Sequence, residues 1–301
     1  RPIPSEQGAG TPALDIANAF PAHVIYLDEN MRQRDDARQI YSVVNCVRKK
    51  QPKAIDWGRD ITDGRQAVVL LVPVGGTSGF MTDLTRLIQR LRSDMSPHEI
   101  GTGREHSWQL ITFYNGTDPN KQGDGVDQLN GHVETFLDRS GFFNANGRKR
   151  IKHKITTKLT MYEGFKFMFT NKFLPNVLEL KKRRETKNHV YAEVFNGQIE
   201  VVKELSQIKL AKIKGVVWQV ICWPRSNAPG AKGTRFLIHR GLHVDPSHIV
   251  PAWAVTSNKS MGGECENVGV YVPPGIERSF FDRSNIYVAL SRPTRFLGVI
   301  G

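Results

Sequence analysis

The sequence predicts an α/β fold in which a parallel sheet flanked by helices is interrupted by a small β-rich insertion. Three observations predict it. Short apolar runs alternate with segments of helical periodicity, the pattern of strands joined by crossover helices. The run from Ala67 to Val74 is continuously apolar and rich in Val and Leu, which suits a strand covered by helices on both faces. From Gly147 to about Val244 the texture changes to brief β-like pieces divided by Gly, Asn, Pro and basic clusters.

His23 to Leu27 reads as a short strand feeding a helix over Asp35 to Arg48, where Ala37, Ile40, Val43, Val44 and Val47 recur at helical spacing. The long apolar run ends in Gly75 and Gly76, and Met81 to Leu91 then carries Leu84, Leu87, Ile88 and Leu91 on one helical face. Gln109 to Tyr114 predicts a further strand, and Val126 to Leu137 a helix through Leu129, Val133, Phe136 and Leu137. The insertion's strand-like pieces are Phe165 to Thr170, His189 to Phe195, Ile199 to Val202, Val216 to Trp223 and Thr234 to His239. After it, Ala252 to Thr256, Val268 to Val272 and Phe296 to Ile300 read as strands and Ser284 to Ser291 as a helix. The simplest organisation is one α/β domain made of residues 1–145 and 245–301, with residues 146–244 inserted as a β-rich subdomain.

The chain has 301 residues, and 39% hydrophobic content supports a buried core. Forty-two Lys and Arg against 29 Asp and Glu leave a formal charge of +13, the electrostatic footprint of a polyanion binder. No apolar run approaches the roughly 18 to 20 residues needed to span a bilayer, so membrane insertion is not expected. Cys46, Cys222 and Cys265 are odd in number and far apart, which suggests reduced intracellular thiols rather than disulfides or a zinc site. The chain opens on Arg1 without a Met, and we expect a segment upstream of it.

The most informative stretch runs from Ala254 through Thr256, Asn258, Lys259, Ser260 and Met261 to Gly262, Gly263 and Glu264. A strand ending in Thr, then a polar turn with paired glycines, puts a hydroxyl, an ammonium and exposed backbone N–H groups at a sheet edge, where they suit phosphates. An ordinary strand–turn–helix connection would read the same way. Ile286 to Arg292 (I-Y-V-A-L-S-R) follows. Together the two segments resemble motifs V and VI of superfamily 1 helicases, roughly A-x-T-x-H-K-S-Q-G and L-Y-V-A-x-S-R. The resemblance implies that Arg292 reaches the γ-phosphate of ATP held by another lobe, where a planar fork matches charge spread over phosphoryl oxygens.

Near the other end, Tyr26 to Asp36 includes Arg32-Gln33 and resembles the motif IV region of RecD-like and Helitron-type helicases. It implies a second γ-phosphate contact by Arg32 and a nucleotide contact by Gln33; taken alone, the stretch reads equally as a solvated charge cluster. Leu110 to Asn115 and Val126 to Asn130 resemble the family's T-x-T-N and V-x-x-x-N element, which would set Thr112 and Asn115 against a nucleic-acid backbone. Leu159 to Asn171 and Phe195 to Val202 resemble segments of the small SH3-like insertion of this branch. Two residues depart from the motif V pattern: Asn258 stands for its His and Met261 for its Gln, which puts coupling between ATP and DNA in question. Thr256, Asn258 and Lys259 would still face nucleic acid, and Gly262 and Glu264 the nucleotide.

The basic clusters Arg148 to Lys154 and Lys181 to Arg184 are candidate phosphate tracks, with nuclear-address or solvated-loop readings equally open. Trp218 and Trp223 suit core packing better than base stacking. No G-x-x-x-x-G-K-[ST] loop occurs in the sequence. The resemblance therefore implies a second RecA-like lobe with an SH3-like insertion. ATP and Mg2+ would be held mainly by an N-terminal RecA-like lobe of the same protein, single-stranded DNA would be the partner, and no metal would be bound by this chain. Such an enzyme would serve DNA replication, recombination or repair inside a cell, in the nucleus or the cytoplasm, with a viral or transposon origin of the gene left open. A viral-type superfamily 1 RNA helicase lobe and a non-catalytic nucleic-acid-binding relic are the alternatives.

Overall fold

The computed structural model describes residues 4–5, 8–9, 38–51, 68–71, 76–92, 103–116, 125–143, 149–176, 191–210, 213, 215–225, 231–260, 264–273 and 283–301. The anticipated strand over His23 to Leu27 lies outside these residues. In chain order, β1 (Pro4–Ser5) pairs antiparallel with β2 (Gly8–Ala9), and helix α1 (Arg38–Arg48) follows. Strand β3 (Val68–Leu71) leads to α2 (Gly76–Leu91), and β4 (Trp108–Thr112) to α3 (Val126–Arg139). A second group of strands comprises β5 (His153–Lys154), β6 (Thr160–Met161), β7 (Lys166–Phe169), β8 (Ile199–Ile208), β9 (Val217–Cys222), β10 (Arg235–Ile238) and β11 (Ile249–Pro251). The chain closes with β12 (Ala254–Thr256), β13 (Cys265–Tyr271), α4 (Arg283–Leu290) and β14 (Pro293–Ile300).

The α/β class predicted from the sequence is the class observed. Strands β12, β4, β13, β14 and β3 form a parallel sheet in that order. Successive side chains on a strand point to opposite faces, and the two faces are filled by different helices. Val69, Leu110 and Phe296 share a core with Leu84, Leu87, Ile88 and Leu91 of α2 and with Leu129, Val133 and Leu137 of α3. Val68, Ile111, Val255, Val268 and Leu297 pack instead with Ile40, Val43 and Val44 of α1 and with Ala289 and Leu290 of α4. Gly269 and Gly298 lie side by side on β13 and β14. A Cβ at Gly298 would meet Leu87 at 2.3 Å, and one at Gly269 would meet it at 2.8 Å, so the glycine pair lets α2 seat against the sheet.

The insertion is a five-stranded antiparallel sheet in the order β10, β9, β8, β7, β11, with the hairpin of β5 and β6 beside it. Three differences from expectation have local causes. Strand β8 runs on to Ile208, because each residue from Glu204 to Ile208 keeps its pairing with β9. Strand β11 was not expected because it ends in Pro251; it sits at the sheet edge, where proline is tolerated. Among the described residues, the strand expected over His189 to Phe195 contributes only an isolated bridge between Val194 and Phe173.

The insertion therefore ends at Pro251, and the chain changes sheets through Ala252 and Trp253. Gln109 clamps this crossing by donating from Nε2 to the carbonyls of Ala252 (3.0 Å) and Trp253 (2.9 Å). Asn130 of α3 accepts from the Ala254 N–H at 2.8 Å and donates to the Pro251 carbonyl at 3.3 Å. Trp108 stacks on Trp253 with ring centroids 5.6 Å apart. One apolar core runs through both parts, joining these two indoles to Phe165, Phe167, Phe169 and Phe236. Trp218 belongs to this core at 6% exposure, edge-on to His153, as its sequence setting suggested.

Candidate functional site

A cleft of about 630 Å3 opens where the insertion meets the parallel sheet. The sheet side supplies Gln109 from β4, Lys259 and Ser260 from the turn after β12, Glu264 and Cys265 at the start of β13, and Arg292 just before β14. The insertion side supplies Lys166 from β7, the turn Phe195 to Gln198 before β8, and Arg225. Among the described lining residues, four cations (Lys166, Arg225, Lys259 and Arg292) face two carboxylates, Glu264 and Glu266. That balance favours an anionic occupant.

The turn after β12 is built by its own side chains. Thr256 accepts the Lys259 N–H on Oγ1 at 3.3 Å, and Ser260 donates its hydroxyl to the Ser257 carbonyl at 2.7 Å. This holds Lys259 outward, and its Nζ donates to Asn196 Oδ1 at 3.1 Å, tying the turn to the insertion. Arg292 is only 9% exposed. Its Nε donates to the Val288 carbonyl at 2.9 Å and its Nη2 to Ser291 Oγ at 3.0 Å, so the guanidinium lies along the last turn of α4, where a cation is favoured by the helix dipole.

The insertion wall carries the buried charges. Lys166, 1% exposed, donates from Nζ to the Trp108 carbonyl, and its Nζ lies 5.3 Å from the centroid of the Trp108 ring. Burial holds its ammonium down to about 8, with Cys265 and Glu105 pulling weakly the other way. His106 is held down to about 3, first by burial and then by the charges of Lys166 and Arg225, so its ring is neutral at physiological pH. Burial pushes the Cys265 thiol up, against the nearby Lys166. Glu200, 2% exposed, is pushed up by burial, while Arg225 at 3.4 Å and hydrogen bonds from Gln198 and Thr234 favour its charged form. Beneath the cleft, Glu105 accepts from Arg92 Nη2 at 3.1 Å and from the Trp108 indole at 2.5 Å.

The residues singled out from the sequence divide into four groups. Lys259, Glu264 and Arg292 are brought together in the cleft. Thr112 and Thr256 are register partners at the ends of β4 and β12. Thr112 is fully buried, and Thr256 is 8% exposed with its Oγ1 accepting the Lys259 N–H. Asn115 and Asn258 are exposed and lie outside the cleft lining. Arg32, Gln33, Met261 and Gly262 lie outside the described residues, as do Arg148 and the cluster Lys181 to Arg184. Within the remaining basic cluster, Lys152 pairs with Asp138 at 2.8 Å and covers the Phe143 ring, and Arg150 covers Phe142. Those two cations lie over the Phe142 and Phe143 rings just after α3.

Sequence reasoning missed Gln109, His106, Lys166, Asn196 and Arg225. Gln109 and Lys166 did carry a signal: Gln109 sits between large apolar residues in β4, and Lys166 opens the otherwise apolar β7. Among the described residues, no group of three His, Cys, Asp or Glu side chains is arranged to hold a metal ion, and no helix is long and apolar enough to cross a membrane.

No protein-family model matches the chain, and no curated protein matches it. Solved structures do. One is a Bacteroides Pif1 bound to ssDNA, with a TM-score of 0.39 at 15% identity, covering 92% of this chain and 51% of that one. Another shows DNA unwinding at forked dsDNA by two coordinating Pif1 helicases, with a TM-score of 0.37 at 14% identity, covering 99% of this chain and 57% of that one. A third is the Pif1 helicase from Candida albicans, with a TM-score of 0.38 at 14% identity, covering 91% of this chain and 55% of that one. The chain spans about half the length of the solved structures it matches.

Proposed function

We propose that this chain is the C-terminal part of an ATP-dependent superfamily 1 DNA helicase, a lobe that grips single-stranded DNA and supplies Arg292 to ATP bound on an N-terminal lobe. One observation carries the reading. The two segments that resemble helicase motifs V and VI, separate in sequence, converge in a single cation-rich cleft on a parallel sheet. ATP with its Mg2+ would supply the driving reaction from the other lobe. This chain's own residues would hold the strand, with Lys259 meeting phosphates as a point charge at the end of a capped turn. Arg292 keeps its fork oriented along α4, so phosphoryl oxygens would meet guanidinium donors already in place. The long polar turn and the insertion are tied by Lys259 and Asn196, which makes movement of the insertion a means of releasing Lys259 to a strand.

The test is binding of a labelled oligo(dT) to the 301-residue chain as a function of salt. Affinity should fall with a log–log slope of about −0.7 for each phosphate neutralised, and Lys259→Ala should weaken binding and make that slope shallower by about one such increment. Binding that ignores salt, or a Lys259→Ala variant with unchanged affinity and slope, would remove the cleft from the account.

A further inference from the structure

The floor of the cleft offers more than charge. Gln109 is 3% exposed, and its Nε2 is surrounded by the carbonyls of Leu110, Ala252 and Trp253 at 2.9 to 3.1 Å. Three acceptors around one end of the amide fix which end is NH2 and which is oxygen. Gln109 Oε1 is thereby turned away from the clamp, and it has no hydrogen-bond partner among the described residues. His106 repeats the pattern. One ring nitrogen bonds to the backbone of Trp223, the ring is neutral, and Nε2 has no partner among the described residues. Both residues line the cleft. Leaving a buried acceptor unsatisfied costs about 1 to 3 kcal/mol, so two of them in one cavity define a demand for donors.

Two further features narrow the occupant. Lys166, also lining the cleft, donates from Nζ to the Trp108 carbonyl, which leaves two N–H groups of the ammonium for other acceptors. At the insertion turn stands Phe195, 50% exposed, a flat apolar face with Lys172 Nζ 5.3 Å from its ring centroid and that ammonium paired with Glu193 at 2.6 Å. Acceptors for N–H, a cationic donor for a ring carbonyl or ring nitrogen, and an aromatic plane together match a nucleobase that carries an exocyclic amino group. Thymine and uracil present carbonyls where cytosine and adenine present that amine. The cavity, at about 630 Å3, is ample for one base and its sugar.

We propose that this cleft takes a base from the bound strand and prefers cytosine or adenine over uracil or thymine, with Gln109 Oε1 and His106 Nε2 accepting from the exocyclic amine and Phe195 stacking on a base. The proposal rests on the reading of this face as a strand-binding one. The same ring could arrive in a strand or as a free nucleotide, and the assay separates the two sources.

The experiment compares oligo(dC) with oligo(dU), which differ only on the base edge, in the C4 amine for carbonyl and the accompanying N3 acceptor for N3–H donor, on the wild-type 301-residue chain, with cytidine and uridine monophosphates as parallel ligands. Oligo(dC) should bind at least about fivefold tighter, the low end of what one well-made base contact discriminates. If the preference belongs to a strand, the monophosphates bind far more weakly than either oligomer; if cytidine monophosphate binds as tightly as oligo(dC), the site is one for free nucleotides and the strand part of the proposal is overturned. Phe195→Ala, at a half-exposed position, should weaken both oligomers about fivefold or more while leaving their ratio intact, since stacking tolerates any base. His106→Phe keeps the ring and removes the acceptor, and should reduce the ratio. Equal affinities for dC and dU, with normal salt dependence, overturn the base pocket alone. Absence of binding by both overturns the strand-binding reading and the pocket with it.

Discussion

Replacing Lys166 with Met should change how the stability of this protein depends on pH. The side chain is 1% exposed, and burial holds its ammonium down from an ordinary 10.5 to about 8. A lysine lowered in the folded state keeps its proton more readily in the unfolded chain. Between the two values unfolding therefore takes up a proton, and raising pH through that window stabilises the fold. At about 1.36 kcal/mol per pH unit, the interval from about 8 to 10.5 caps the gain at roughly 3 kcal/mol, of which about 1 kcal/mol develops between about pH 7.5 and 9. From about pH 8 upward the buried thiols of Cys222 and Cys265, both pushed up, act in the opposite direction, because they ionise first in the unfolded chain, and they do so in wild type and variant alike. Urea unfolding of wild type and Lys166→Met across about pH 7.5 to 9 isolates the lysine. Met is unbranched and of similar length, so it fills the same channel. The wild-type stability should climb relative to the variant by about 1 kcal/mol over that range. Parallel profiles would refute the argument, since they would mean that the ammonium is not desolvated where β7 meets β4.

The pair beneath the cleft makes a second prediction. Glu105 is fully buried and faces Arg92, itself 8% exposed, so Glu105→Ala strands a buried guanidinium and the Trp108 indole and should cost about 3 to 5 kcal/mol by urea unfolding. Pairing it with Arg92→Met should recover much of that loss, whereas additive losses would show that the two side chains are not coupled. For Arg292, in a protein with the N-terminal lobe present, Arg292→Ala should lower DNA-stimulated ATP turnover on the order of 10³ to 10⁵-fold, with little rescue by Arg292→Lys because an ammonium cannot span two phosphoryl oxygens. Near-normal turnover by folded Arg292→Ala would withdraw it from the phosphoryl group and leave its bond to Val288 as its role.

Legibility differed between parts of the chain for identifiable reasons. Leu84, Leu87, Ile88 and Leu91 on α2, and the apolar run of β3, announce themselves through periodicity, and the structure buries the residues that the pattern marks. Strand β11 escaped because Pro251 reads as a breaker unless the strand is known to be at an edge, and edge position is a property of the assembled sheet. The same holds for side-chain roles. Thr112 has the residue type that suits a phosphate, but its place between β12 and β13 encloses it completely. Lys152 looked like one cation among many in a basic run, and its pairing with Asp138 depends on the C-terminal end of α3 lying beside it.

By itself the sequence determined the class of the fold, the interruption of the sheet by a β-rich insertion, the excess of positive charge and the paired segments from Ala254 to Glu264 and Ile286 to Arg292. All of these are local, set by the period of apolar residues and by neighbours within a few positions. Only the tertiary structure decided that Lys259, Glu264 and Arg292 share a cleft with Lys166, Asn196 and Arg225, residues up to 126 positions away from Arg292 in the chain. It also decided that Gln109 turns its amide nitrogen to the sheet crossing at Ala252 and Trp253 and leaves its oxygen without a hydrogen-bond partner among the described residues. The physical reason is that a buried polar side chain must satisfy one end of itself before the other is free to act, and which partners are within reach is settled by how the two sheets close on each other, not by the order of residues along the chain.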